Sequence, residues 1–305
     1  MTLSTLLSTF ANNLLPIILL GSAGFVLGKV LHVDPRGLGR VVFYVFSPVL
    51  IFDLLIKNQL KLSEAAGVIV FTVTIVLIVG ALTYILGKVL KVERTALISI
   101  LITTMFANTG NYGLPLVSFA FGERALSYAG IYFVTTTLLF YSLGVLLASL
   151  GHMNFKDAIL GLFRVPTLYA VLLALTVNAL QFDLPLAVQR AVDLASGGTI
   201  PLMLVLLGLQ MTQVEFSKNL RALQLSVSMR LLIAPLLALL ITAFFGIQAF
   251  ARQGAVTQAS MPSMVSATVL SAEYNLDSKL IAAIVFVSTV LSPLTLTPLL
   301  VFLGR

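Results

Sequence analysis

Apolar stretches of about eighteen residues or more recur along nearly the whole chain, and this recurrence decides what it can fold into. A helix of that length spans the roughly 30 Å hydrocarbon core of a bilayer. Ten such spans can be drawn, near 8–31, 38–56, 65–88, 95–122, 125–150, 158–181, 187–213, 219–246, 250–274 and 279–303. The chain is 59% hydrophobic, only 10% charged and has a mean hydropathy of +1.09, more apolar surface than a soluble fold of 305 residues can hide. An all-α integral membrane protein with no separate soluble domain follows. The first span lacks a basic leader and an Ala-x-Ala exit, so it is expected to stay. The seventh is the most ambiguous. Leu186 to Gly198 carries Arg190 and Asp193 and reads alternatively as an interfacial amphipathic turn, bent at Gly197, Gly198 and Pro201.

The stretch Ala107 to Pro115, Ala-Asn-Thr-Gly-Asn-Tyr-Gly-Leu-Pro, stands midway along the fourth span. Its two glycines weaken a helix and its proline removes a backbone donor, so peptide groups lose partners where lipid cannot replace them. Backbone of that kind survives at membrane depth only inside protein or against a wet cavity. The stretch therefore predicts a discontinuous helix at a solute site.

An internal repeat sets the organisation. Ile131 to Leu138 (IYFVTTTL) matches Ile284 to Leu291 (IVFVSTVL) at an offset of 153. The same register lays Ser47–Leu50 over Ile200–Met203 and Asn108–Pro115 over Met261–Thr268. The halves are 1–152 and 153–305, with five spans in each. An odd number makes the second half enter from the opposite face, giving two inverted five-helix repeats. The register also predicts a second break, in the ninth span at Gln258 to Thr268, around Pro262. Two broken helices crossing near the midplane present free amides and partial positive charge, which suits a carboxylate.

Asn108, Asn111, Gln258 and Ser263 are the candidate solute contacts, with Gly110, Gly113, Pro115 and Pro262 shaping the breaks. The competing view is that each proline only kinks a packed helix. Arg230 lies deep in the eighth span, where a charge costs about 2.5–3.5 kcal/mol or more. It either neutralises an anionic solute or clamps carbonyls freed at the breaks. Asp53 and Lys57 are spaced for a local ion pair, with a proton-carrying role as the alternative. No carboxylate sits beside either break, so ion coupling is not legible.

Several chemistries are set aside. Without cysteine there is no thiolate site, and His32 and His152 lack ligand spacing, so no metal is expected. Gly110-Asn-Tyr-Gly113 is not a phosphate-binding loop, no hydroxyl has a partnered base, and no cofactor is implied. The spans place eleven of the 18 Lys and Arg on one side, six on the other and Arg230 within a span. The richer side should be cytoplasmic and both termini should face away from it. The net charge of +7 is thus topological and does not argue for nucleic acid. Small-residue spacing such as Gly21 to Gly24 says little about oligomers.

Asn108-Thr109 with Gly113-Leu-Pro115-Leu, then Met229-Arg230-Leu, then Gln258-Ala-Ser-Met-Pro262 followed by Glu273-Tyr-Asn275, together resemble the auxin efflux carrier family and its bacterial organic-acid relatives, over nearly the whole chain. The resemblance implies a scaffold of spans 1, 2, 6 and 7, a transport domain of spans 3–5 and 8–10, and an elevator-like motion. It also implies an organic anion held beside the crossover by Asn108, and suggests a homodimer through the scaffold. The chain departs from the plant members at Ala267, where they carry a second proline, and lacks their long loop between spans 5 and 6. The function expected is secondary transport of a small organic anion across a bacterial inner membrane. A membrane-embedded sensor using the same pocket is the rival, and an intramembrane enzyme a distant third.

Overall fold

The computed structural model describes residues 2–57, 62–149, 163, 165–213, 217, 219–247 and 249–304. His152, the boundary between residues 152 and 153, and the loop charges Lys61, Lys156, Arg164, Lys218 and Arg305 lie outside the described residues. The described residues are helical, with no strand beyond a single isolated bridge. In chain order the helices are α1 Leu3–Val30, α2 Pro35–Lys57, α3 Leu62–Val89, α4 Arg94–Met105, α5 Thr109–Ala148, α6 Pro166–Ala179, α7 Leu186–Gln210, α8 Leu220–Phe244, α9 Ala249–Ala259, α10 Ser266–Glu273 and α11 Ser278–Leu303. Seven of these, α1, α2, α3, α5, α7, α8 and α11, are long and apolar enough to cross a membrane. Many of their large apolar side chains point outward, Leu194, Phe244 and Leu294 among them, as a lipid-facing surface requires.

Proline placement explains the local irregularities. Of five π-helical turns among the described residues, four, Phe10–Leu14, Val42–Phe46, Thr109–Gly113 and Met229–Ile233, end two residues before a proline (Pro16, Pro48, Pro115 and Pro235), and Phe140–Gly144 has none. A proline has no N–H for the carbonyl four residues back and its ring presses on that carbonyl, so the preceding turn widens. Pro201 behaves differently. It lies inside α7, which runs unbroken through Gly197 and Gly198, so the interfacial bend considered for that region is not formed.

Packing divides into two kinds. Helix α1 lies along α7, and α2 lies along α6 and α7. The α1–α7 seam is glycine-made: a Cβ at Gly24 would run into the Val205 carbonyl, and one at Gly208 into the Gly21 carbonyl. Elsewhere α5 packs on α9 and α3, and α4 on α3, α8 and α11. Asn178 Nδ2 donates to the Leu55 carbonyl (2.9 Å) and ties α6 to α2. Lys57 at the end of α2 meets Asp53 at 2.9 Å, as its spacing predicts, and also Asp193 of α7 at 2.8 Å.

Candidate functional site: the crossing of two interrupted helices

The fourth span is interrupted. Helix α4 ends at Met105, Phe106 is extended (φ −109°, ψ 119°), and helical geometry resumes at Thr109. Pro115 does not break a helix here. It stands within α5, two residues after the π-turn that widens ahead of it, so the interruption itself lies at Phe106–Asn108. The second interruption falls between Ala259 and Ser266, with Pro262 inside it. The two breaks meet as an antiparallel bridge, Ala107 to Ser263. Asn108 N–H donates to the Pro262 carbonyl (2.8 Å) and Met264 N–H to the Phe106 carbonyl (3.0 Å).

Two side chains satisfy most of what this pairing leaves over. Arg230, on the π-turn of α8 and 2% exposed, donates Nε to the Met261 carbonyl (2.7 Å), Nη1 to Thr104 (2.8 Å) and Nη2 to Ala259. Its partners come from the ends of both α4 and α9, where helix dipoles gather partial negative charge, and this is how a cation is held so deep. Of the two roles open to Arg230, the geometry is that of the clamp. Gln258 is fully buried, and its Nε2 donates to the carbonyls of Thr109 and Ala129, both at 3.1 Å. A Cβ at Gly113 would run into Gln258 Oε1, so this position needs glycine for steric reasons. A Cβ at Gly110 would stand 3.0 Å from the Phe133 ring.

Other polar groups have no partner among the described residues. Five of the ten such buried atoms, Asn108 Nδ2, Thr109 Oγ1, Thr257 Oγ1, Gln258 Oε1 and Ser263 Oγ, lie within two residues of the bridge or on the last turn of α9. Buried polar atoms are nearly always paired, so five at one crossing stand out. An amide N–H and hydroxyls can donate to an anion. Ser263 N–H is occupied by Ser288 Oγ at 3.1 Å. Asn111 is partly buried, and its Nδ2 donates to Gln210 Oε1 at 3.2 Å.

The structure thus gathers Asn108, Gln258, Ser263 and Arg230 at one crossing, with Asn111 on the π-turn that follows Asn108. It gives Gln258 and Arg230 to backbone carbonyls. Sequence reasoning missed Thr109 and Thr257, although both stand in or beside the quoted motifs. It also missed Gln210, which ends an apolar helix with no local signal.

The profile of the family described as "Membrane transport protein" matches residues 9–157 and 149–300. The chain belongs to this family, that of the auxin efflux carriers. An "Uncharacterized transporter" of Methanothermobacter thermautotrophicus is 30% identical over 290 residues, covering 93% of this chain and 94% of that protein. Another, of Methanocaldococcus jannaschii, is 26% identical over 92% of this chain and 93% of its own. A Rhizobium meliloti protein named "Putative malonate transporter" is 24% identical, over 86% of this chain and 85% of its own. As a member of this membrane transport family with several apolar spans, the chain is a multi-pass membrane protein.

Proposed function

We propose that this transporter carries a small organic anion by alternating access of the elevator type. The observation that carries the reading is the crossing itself: bare peptide ends paired across two interrupted helices, with unpartnered buried donors on Asn108, Thr109 and Ser263. Helix N-termini and neutral donors favour a carboxylate over a cation. The relative named for malonate supports beginning with dicarboxylates.

The ten-span inverted repeat draws support from contacts between positions the register pairs. Thr199 Oγ1 donates to the Phe46 carbonyl (3.2 Å), 153 residues away. Asn108 bonds Pro262, one residue from its mate Met261. Elements that touch their own mates are what a two-fold axis between halves produces. Gly122 (φ 73°) and Asn275 (φ 53°), again 153 apart, turn the chain in the left-handed region at matching places. In this reading α4 with the start of α5 is span four, α9 with α10 is span nine, and α6 is span six; each helical piece falls short of a long apolar helix. The scaffold is α1, α2, α6 and α7, a dimer forms through it, and the remaining helices move as the transport domain. The protein sits in the inner membrane with both termini outside.

The test is flux in reconstituted vesicles over a panel of labelled mono- and dicarboxylates, with and without a proton or sodium gradient. At least one is carried, and Asn108→Ala abolishes its flux while the protein stays folded. Binding without flux would make the protein a sensor; normal flux in Asn108→Ala would move the site elsewhere.

A further inference from the structure

Gln210 is the last α-helical residue of α7, and it reaches the crossover through one bond, Asn111 Nδ2 to its Oε1 at 3.2 Å. What stands behind each partner differs. Helix α7 is pinned to α1 by glycine contacts in which backbone meets backbone, so Gln210 is carried on a stiff two-helix ribbon. Asn111 is carried on the crossing, whose own bonds run to Pro262, Arg230 and Gln258. Helix α7 also packs against the Thr109–Gly113 turn, and this amide pair is the side-chain hydrogen bond that joins the ribbon to it.

That bond is made to be exchanged. Both partners are neutral, the distance is at the long end of the normal range, and both side chains are only partly buried, so a solute can reach them. A carboxylate at Asn111 would make a charge-assisted bond, about twice as strong as a neutral one. Asn108 stands three residues earlier with its Nδ2 unpartnered, so an anion seated there competes with Gln210 for the neighbouring donor.

We propose that Gln210 is a latch: it occupies Asn111 in the empty transporter and gives it up to the carboxylate of the solute. Occupancy then releases the crossing from α7. Gln210 is a positioning residue that competes with the solute and does not bind it. The inference rests on the anion-transport reading, and it fixes the sign of an effect. A group that masks a binding donor lowers apparent affinity, so deleting it tightens binding.

The experiment is equilibrium binding and flux of malonate, succinate, lactate and acetate by the full-length protein in vesicles. Wild type is compared with Gln210→Leu, Gln210→Met, Asn111→Ala and the double variant Asn111→Ala/Gln210→Leu. Both Gln210 variants lack the acceptor, and Met keeps the length. They are expected to bind the carried anion about fivefold more tightly, the factor that one neutral hydrogen bond supplies. Their thermal stability should stay close to wild type, since the freed Asn111 amide is partly exposed. In the Asn111→Ala background Gln210→Leu should change nothing, because the masked donor is gone. Weaker binding in both Gln210 variants would make Gln210 a solute contact and overturn the latch. Unchanged binding, or the same tightening without Asn111, would overturn it too. If wild type neither binds nor carries any of the four, the anion reading falls and takes the latch with it.

Discussion

The α1–α7 seam and the crossover are both places where backbone comes very close to backbone, and they solve the problem in opposite ways. At the seam, both helices keep their own hydrogen bonds and approach through Gly24 and Gly208, with no side chain between them. At the crossover the helices are cut, and their peptide groups are satisfied by each other, by Arg230 and by Gln258. An intact helix pairs its own peptide groups, so the seam needs no polar side chain. A cut one recruits polar side chains, and their surplus valences collect at the break.

Substitutions can break this contrast, and the largest effect is expected at Arg230. Arg230→Ala strands three buried carbonyls, and each costs about 1–3 kcal/mol to leave unsatisfied. Thermal unfolding in detergent should fall sharply; a protein as stable as wild type would show that the clamp is dispensable. Gly208→Ala comes next. Its methyl meets the Gly21 carbonyl, and overpacking of that kind costs about 1–3 kcal/mol, read as lowered thermal stability. Gly113→Ala should cost less stability, because the atom it displaces, Gln258 Oε1, belongs to a side chain that can swing away. Flux should nevertheless fall, since Thr109 and Ala129 lose their donor. The smallest stability effect is expected at Asn108→Ala, within about 0.5 kcal/mol, because its Nδ2 has no partner to lose. If Asn108→Ala unfolded the protein as Arg230→Ala does, the distinction between repairing groups and surplus groups would collapse.

Glycine spacing is legible in the sequence, but its partner is not. Gly21 and Gly24 say little about oligomers, yet with Gly208 they set the approach of two helices in the same chain. Only the fold supplies the second helix of such a pair. Similarly, Asp53 and Lys57 are neighbours by helical spacing, whereas Asp193 joins them from α7, 136 residues beyond Lys57. Pro115 is legible as a disruption, and the structure places it after a widened π-turn inside α5, with the break a few residues earlier.

The sequence by itself determined the apolar class of the chain and the two places where a helix must fail. These follow from side-chain solubility and from the local steric rules of proline and glycine, which act within a few residues. Only the tertiary structure decided that Arg230 faces carbonyls, that Gln258 bridges Thr109 and Ala129, and that Gln210 holds Asn111. A hydrogen bond is settled by which atoms the packing brings to about 3 Å, and for these side chains the partners lie 29 to 149 residues away.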